Sequence, residues 1–326
     1  MIQIKSYSPE FEEAHIKFAS KYWTKGRRKN PEFIYWKFRG KPNAELPSFI
    51  LAIDNDEVVG QLGIIPCIIS IEDKIYDAQW ACDLMVDEDY RGKNIAKQLY
   101  DYAHNSKSIT LGSNPSVAAS KSMRRNGYKS LKSSWKFIFP IKIGEITKLK
   151  GYTIKLLNKI GHPLLLFKHF FKNDFYKISE DQYVCNYRMK RKHNQAYVVH
   201  DESFVKWRYH SFKHYYKEVS MYSNSYGSYF SGFFNNNVYY ITDFEVNTFK
   251  EFFKIVYFIV NQHKKESLLR IKFFSNISFL NRWLLFFGFV KFRTQTEIIY
   301  FTTELLESQL KGRYFYYTLL DSDENI

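Results

Sequence analysis

The stretch Asp83-Leu84-Met85-Val86-Asp87-Glu88-Asp89-Tyr90-Arg91-Gly92-Lys93-Asn94-Ile95-Ala96 predicts a strand, an acidic turn, a tight basic loop and the start of a helix. The helix is indicated by apolar residues that recur at the spacing of one helical face: Ile95, Ala96, Leu99, Tyr100 and Ala103. The first backbone N–H groups of a helix have no intrahelical partner and carry the positive end of its dipole. A loop of small residues there, with Arg91 and Lys93 adding charge, indicates either a phosphate site or a solvated basic turn.

The segment from Arg91 to Ala96 favours the first interpretation, because it resembles the pyrophosphate-binding loop of the GNAT acyltransferase superfamily. In that loop an arginine or glutamine is followed at fixed spacing by glycine, and then by glycine or alanine. Asn94 stands at the central glycine, and Asn is the non-glycine residue that most readily adopts a positive φ. The resemblance implies that the loop holds acetyl-CoA or another acyl-CoA as cosubstrate.

A second match follows in Ser113-Asn114-Pro115 and, after one short helix, Asn126-Gly127-Tyr128. We expect Asn114 to cap this helix, Pro115 to be its first residue and Gly127 to end it in the left-handed region. In the superfamily this helix lies beside the CoA arm. The resemblance thus implies one set of cofactor-binding residues: Leu84, Met85, Val86, Arg91, Gly92, Lys93, Asn94, Ile95, Ala96 and Asn114.

Length and composition favour a globular protein of two domains, with 326 residues of which 45% are hydrophobic. The formal charge of 48 − 33 = +15 predicts an anionic partner, which is a nucleotide, a phosphate-rich cofactor, nucleic acid or a membrane surface. Three cysteines and nine histidines show no metal-ligand spacing, so we expect no metal. Without a secretory signal or a membrane-spanning apolar run, a cytoplasmic location is expected.

The predicted element order of residues 1–140, β-α-α-β-β-β-α-β-α-β, is the GNAT order, with its last strand at Leu131 to Pro140. Residues 141–173 alternate apolar positions with seven lysines and one acid. They form either an interdomain linker or a basic amphipathic hairpin on a membrane. Residues 174–326 complete the expected fold class, an α/β (α+β) chain with two GNAT-like domains, each a mixed, mostly antiparallel twisted sheet flanked by helices.

The second half contains an echo of the first. Phe33-Ile34-Tyr35-Trp36-Lys37-Phe38 is answered by Phe204-Val205-Lys206-Trp207-Arg208-Tyr209, and Gly288-Phe289 repeats Gly127-Tyr128. Trp36 and Trp207 are expected in the structural core rather than on a sugar or base. No arginine and glycine loop recurs; Glu245-Val246-Asn247-Thr248 stands in its place. The chain therefore resembles a tandem-GNAT protein with a cofactor-competent first domain and a degenerate second one. The tail from Tyr314 to Asp323 resembles members encoded with bacterial surface-polysaccharide genes.

Acyl transfer from CoA to an amine requires a neutral amine, a polarised thioester carbonyl and a proton for the departing thiolate. Asp83, on the strand that enters the loop, is the candidate base; its alternative is a hydrogen-bonded acid at a strand end. Met123 stands four residues before Gly127, where the superfamily often has the tyrosine that donates this proton. The candidate acid is therefore Tyr128, unless the thiolate leaves unaided.

Three functions remain in competition. The resemblance favours an acyl-CoA-dependent N-acetyltransferase acting on a small amine, such as an amino-sugar nucleotide in cell-surface polysaccharide synthesis. The second is an aminoacyl-tRNA-dependent tandem-GNAT ligase of peptidoglycan, which the charge of +15 would suit. Against it, the first domain of this chain has a CoA-type loop that such ligases lack. The third is a catalytically silent module that binds a nucleotide or lipid.

Overall fold

Two mixed sheets flanked by helices form the protein, which confirms the predicted α/β fold class. The structure is a computed structural model that describes residues 1–23, 31–38, 48–142, 174–190, 195–210, 218–291, 296–311 and 313–321. Residues 143–173 of the expected linker lie outside these residues.

The first half follows the predicted order. Its elements are β1 (Gln3–Ser6), α1 (Glu12–Tyr22), α2 (Pro31–Lys37), β2 (Phe49–Asp54), β3 (Glu57–Ile71), β4 (Lys74–Val86), α3 (Ile95–Ser106), β5 (Ile109–Ser113), α4 (Val117–Arg125), β6 (Lys129–Leu131) and β7 (Trp135–Pro140). Strands β1 to β4 pair as antiparallel neighbours, and β4 then pairs with β5 in parallel, as the α3 crossover between them requires.

The second half repeats much of this succession. Its elements are β8 (Tyr176–Lys177), α5 (Glu180–Lys190), β9 (Gln195–Val198), α6 (Glu202–Val205) with the π-helical turn Lys206–His210, β10 (Ser220–Ser223), β11 (Tyr229–Asn235), β12 (Val238–Glu245), α7 (Phe249–Gln262), β13 (Arg270–Ser275), α8 (Ser278–Phe286), β14 (Val290–Lys291), β15 (Ile298–Thr302), α9 (Glu304–Leu310) and β16 (Tyr314–Tyr316). As before, an antiparallel strand, β12, is followed by a helix and a parallel strand, β13.

Strands of each half take part in the sheet of the other half. The first sheet has the order β1-β2-β3-β4-β5-β15-β6, and β9 joins it beside β3 and β16. The second sheet has the order β14-β7-β13-β12-β11-β10-β8. Strand β15 of the second half thus lies between β5 and β6, and β7 of the first half lies between β13 and β14. The exchange links the two sheets through the chain segments that cross from one to the other.

The single strand predicted from Leu131 to Pro140 is wrong in detail, because the chain there forms two strands, β6 and β7, that belong to different sheets. Ser133 and Ser134 separate them and are buried. The Ser134 hydroxyl donates to the Tyr317 carbonyl at 2.8 Å, which holds the chain where it crosses from one sheet to the other. The expected domain limits at residues 140 and 174 remain a prediction. The strand pairing shows in addition that strands of each half take part in the sheet of the other.

Reciprocal contacts relate the two echoed segments. The Trp36 indole N–H donates to the Trp207 carbonyl at 3.2 Å, and the Trp207 indole N–H donates to the Trp36 carbonyl at 2.6 Å. Such self-complementary contacts are typical of a two-fold interface. Trp36 is buried at 7% exposure, so it belongs to the core and not to a ligand surface.

Helices α4 and α8 end in the same way. Gly127 donates to Arg124 and Tyr128 to Met123, while Gly288 donates to Leu285 and Phe289 to Leu284, all through backbone bonds of 3.0–3.1 Å. Gly127 and Gly288 both have positive φ, 87° and 79°, as predicted for the left-handed residue that ends a helix. These matching ends align the two helices with a constant offset of 161 residues.

Candidate functional site

The loop before α3 ends in a helix start without a side-chain cap. Gly92 has φ 83° and Asn94 has φ 57°, so Asn94 adopts the left-handed conformation expected of it. The Asn94 side chain makes no capping bond, and the first backbone bond at this end runs from Gln98 N–H to the Asn94 carbonyl at 3.1 Å. The N–H groups of the first helical turn therefore point out of the helix end, where they can bind an anion.

A cleft of about 560 Å³ opens at this helix start, between α3 and α4. Its lining consists of Val86, Tyr90, Arg91, Gly92, Asn94, Ile95, Ala96, Lys97, Ala118, Lys121, Ser122, Arg125 and Asn126. Four of these side chains are cationic and none is acidic. The cleft thus combines a helix dipole, outward N–H groups and four cationic side chains, an arrangement suited to a polyphosphate ligand. Two of the four, Arg91 and Lys97, also form exposed ion pairs with Glu88 and Asp101.

Strands β4 and β5 diverge beside the cleft. Their parallel ladder ends at the Trp80–Leu111 pair, whereas β4 continues to Val86 with no partner strand on that side among the described residues. Leu84 and Val86 pack on the α3 side of the sheet, while Met85 packs on the opposite cluster. The predicted residues Leu84 to Val86 therefore lie on an unpaired edge of β4, where Val86 lines the cleft and Leu84 and Met85 lie outside its lining.

Most of the predicted cofactor residues meet at the cleft: Val86, Arg91, Gly92, Asn94, Ile95 and Ala96 line it. Lys93 lies outside the lining, with its ammonium 4.1 Å from the centre of the Tyr90 ring. Asn114 also lies outside, and its expected role as helix cap is wrong. Ser116 caps α4, because its hydroxyl accepts a bond from the Ala119 N–H at 3.2 Å.

Sequence reasoning missed the α4 wall of the cleft and Lys97. Lys121 and Arg125 lie four residues apart on α4, so they share one face of that helix. The spacing of these two cations was visible in the sequence. Only the position of α4 beside α3 shows that they line the cleft.

Asp83, the candidate base, lies at a β-bulge of β4 with φ 47°. Its carboxylate forms an ion pair with Lys37 at 2.5 Å, and the two side chains are only 6% and 3% exposed. Lys37 belongs to α2, so the carboxylate is directed towards that helix. Asp83 is therefore a buried, paired acid close to the end of β4.

A second buried contact supports the same bulge. The His15 ring nitrogen Nε2 lies 2.9 Å from the Gln61 amide oxygen, and the Gln61 amide nitrogen donates to the Asp83 carbonyl at 3.4 Å. Burial lowers the pKa of His15 to about 4, although the Gln61 bond opposes the shift. At neutral pH the imidazole is therefore neutral and acts as part of a hydrogen-bonded support for β4.

Tyr128, the candidate acid, lies at 4% exposure in an apolar cluster beneath α3. Its ring contacts Tyr100, with centroids 5.5 Å apart, and Phe301, at 5.9 Å. Burial raises the pKa of its phenol well above the ordinary value, and the hydroxyl has no hydrogen-bond partner in the described part of the chain. The phenol stays protonated, but it is not part of the cleft lining.

The corresponding helix start in the second half is closed to anions. Thr248 and Glu251 form a capping box at α7, in which the Glu251 carboxylate accepts from the Asn247 and Thr248 N–H groups at 2.8 and 3.1 Å. A carboxylate thus already occupies the positive end of this helix.

The opening between β12 and β13 is also filled, by the C-terminal segment. Leu319 N–H donates to the Thr242 carbonyl at 3.2 Å, and the Tyr316 hydroxyl donates to the Asp243 carboxylate at 2.5 Å. Residues 316–321 are buried throughout. Among the described residues, only the first half offers the open combination of helix start and diverging strands.

Comparison with known proteins agrees with this geometry. Residues 4–108 match the family model described as "Acetyltransferase (GNAT) domain". No curated protein matches the chain in sequence. Among the described helices, none combines the length and apolarity needed to cross a bilayer.

Several solved acyltransferase structures resemble the chain over both sheets. A GCN5-related N-acetyltransferase from Kribbella flavida has a TM-score of 0.62 at 8% identity, covering 92% of this chain and 71% of that one. A probable N-acyltransferase from Enterococcus faecalis V583 has a TM-score of 0.62 at 13% identity, with 94% and 73% covered. Saccharomyces cerevisiae N-myristoyltransferase with bound myristoyl-CoA has a TM-score of 0.55 at 12% identity, with 92% and 82% covered. The chain therefore has the fold of these acyltransferases, with a GNAT acetyltransferase domain recognised at residues 4–108.

Proposed function

We propose that this protein is a tandem-GNAT N-acyltransferase that uses acetyl-CoA or another acyl-CoA and binds it only in the first half. The observation that carries the proposal is the uncapped, cationic start of α3, with Gly92 and Asn94 in the left-handed conformation, set beside diverging strands. The capped start of α7 supports the restriction to one site.

In this proposal one phosphate group of the cofactor pyrophosphate binds the N–H groups after Gly92. Lys121 and Arg125 of α4 approach the second phosphate group. The pantetheine arm then lies along the wall formed by Leu84, Met85 and Val86. A backbone N–H of that wall polarises the thioester carbonyl, as an oxyanion donor does. This places the reacting carbon near the bulge that carries Asp83.

The acceptor is a small amine, and an amino-sugar nucleotide is the first compound to test. Its ammonium must lose a proton before attack, and Asp83 takes that proton directly or through a water molecule. The amine nitrogen then attacks the thioester carbon, and the C–S bond breaks to release thiolate. Solvent carries the proton that the nitrogen loses on forming the amide to the thiolate, because the Tyr128 hydroxyl is buried outside the cleft lining.

Calorimetric titration with acetyl-CoA tests the cofactor assignment. We expect one site per chain, and replacement of both Gly92 and Ala96 by Val should abolish binding. Valine is strained at the positive φ of Gly92, and both side chains would occupy space in the cleft. Gly227→Val is the matched control, because Gly227 has φ 75° in a turn of the second half and should change only stability.

Unchanged affinity in the folded double variant would contradict the loop assignment. Two sites per chain would contradict the restriction to the first half. Displacement of acetyl-CoA by tRNA would instead favour the aminoacyl-tRNA ligase, and binding without acyl transfer to any amine tested would favour the silent module.

A further inference from the structure

Helix α8 exposes a row of aromatic side chains to solvent. Phe279, Trp283 and Phe286 are 41%, 53% and 78% exposed, while Leu280 and Leu284 on the opposite face are fully buried. With exposed Arg282, the three aromatic residues follow the spacing i, i+3, i+4, i+7, which is one face of a helix. We call these four residues the α8 face.

Exposed apolar side chains on this helix are not confined to the α8 face. Leu285, on the same helix, is 51% exposed. Exposed apolar side chains that stand singly are ordinary, but a contiguous group of this size indicates a contact surface.

The alignment of α4 with α8 gives this surface a specific origin. With the offset of 161 residues, the four α4 residues that line the cofactor cleft correspond one by one to the α8 face: Ala118 to Phe279, Lys121 to Arg282, Ser122 to Trp283 and Arg125 to Phe286. The face that lines a basic cleft in the first half is thus aromatic in the second.

The helix start beside the α8 face also excludes an anionic nucleotide there. The Glu251 carboxylate accepts from the Asn247 and Thr248 N–H groups just before α7, and the Phe249 ring lies against Phe287 with centroids 4.8 Å apart. An aromatic contact therefore closes the space that a pyrophosphate would need. The surface is suited to an apolar ligand and not to a second cofactor.

The charge of this part of the chain indicates which kind of partner binds the α8 face. Helix α8 and strand β14, residues 278–291, contain two basic side chains, Arg282 and Lys291, and no acidic one. Arg282 is exposed within the α8 face itself. Exposed Trp and Phe residues combined with basic residues, in a region without acids, complement a surface that is apolar inside and negatively charged outside.

We infer that the α8 face docks the protein onto the surface of an anionic lipid bilayer. The aromatic side chains enter the boundary between headgroups and acyl chains, while Arg282 contacts lipid phosphates. This contact does not depend on the proposed acyltransferase activity.

Vesicle flotation of the full chain tests the inference, using phosphatidylcholine alone or with an equal amount of phosphatidylglycerol. We expect binding to the anionic vesicles that weakens as salt is raised. The triple variant Phe279→Ser, Trp283→Ser, Phe286→Ser should bind at least about tenfold more weakly, because three apolar anchors are lost. Phe286→Ser alone is the milder variant, should the triple variant fail to fold.

The matched control is the triple variant Ile16→Ser, Ile75→Ser, Met189→Ser, which removes three exposed apolar side chains at other places on the surface. It should bind vesicles as the unchanged protein does. Equal binding by the protein with and without the α8 aromatic residues would overturn the inference, as would absence of binding to anionic vesicles.

Two other occupants have their own signatures. A dimer that sedimentation velocity detects, and that the α8 variant dissociates, would show that the face binds a second copy of the chain. A lowered unfolding midpoint of the α8 variant, without any vesicle effect, would show that another segment of the same chain covers it. Either result would overturn the bilayer assignment.

Discussion

Replacement of Lys37 by Met should destabilise the protein by about 3–5 kcal/mol, because it leaves the Asp83 carboxylate buried without its ion-pair partner. The magnitude follows from burial. The Lys37 and Asp83 side chains are 3% and 6% exposed and 2.5 Å apart, so water cannot replace the lost ammonium. Replacement of Asp83 by Asn removes the carboxylate that neutralises the buried Lys37 ammonium and should cost a similar amount.

The double variant Lys37→Met, Asp83→Asn is the informative one. It removes both charges, so its loss of unfolding free energy should be clearly smaller than the sum of the two single losses. Urea unfolding of the four proteins measures this coupling. Lys17→Met is the control, because the Lys17–Glu57 pair has nearly the same separation, 2.7 Å, but side chains that are 70% and 67% exposed. Removal of an exposed pair should cost no more than about 1 kcal/mol.

The same variants separate a catalytic role of Asp83 from a structural one. If Asp83 is the base, Asp83→Asn should lower kcat/KM by about 10²- to 10⁴-fold with little change in acetyl-CoA affinity, and the loss should shrink at high pH. The double variant should then remain inactive although it is more stable than additivity predicts. Single losses below 1 kcal/mol that simply add would refute the buried-pair reasoning, and near-normal turnover without the carboxylate would refute the catalytic one.

Two further predictions concern other parts of the structure. Since burial lowers the folded-state pKa of His15 from 6.5 to about 4, the unfolded chain binds the extra proton between these values. Stability should therefore fall by about 3 kcal/mol as the pH falls from 6.5 to 4, and His15→Gln should flatten that part of a pH series of urea midpoints; an unchanged slope would contradict it. Thr248→Ala should cost about 1 kcal/mol by removing the α7 cap, without changing acetyl-CoA affinity in calorimetry; weaker cofactor binding would place a ligand contact in the second half.

The conformation of the loop before α3 was predictable from sequence because its determinants are local. A basic loop before an amphipathic helix, with Asn at the position that needs positive φ, specifies its own conformation. The same holds for the exits at Gly127 and Gly288. The cap of α4 was missed by two residues, because Asn114 and Ser116 are both good capping residues and only the Ser116 hydroxyl bonds to the helix.

Contacts distant in sequence were not predictable in the same way. Lys37 and Asp83 are 46 residues apart, and nothing near either residue indicates the other. The exchange of β7 and β15 is equally hidden. Both strands are short and largely buried, so their patterns fit either sheet, and the choice depends on pairing across much of the chain.

The exchanged strands also set an order of assembly during synthesis. Among the described strands, β6 joins the first sheet only through β15, which begins at Ile298 of a chain of 326 residues. A nascent chain therefore carries the complete loop before α3 long before its sheet can close, and the edge of β5 stays exposed in the meantime. Until Ile298 has been synthesised, that edge is open to pairing with a strand of another chain, so β15 also protects the first sheet from association.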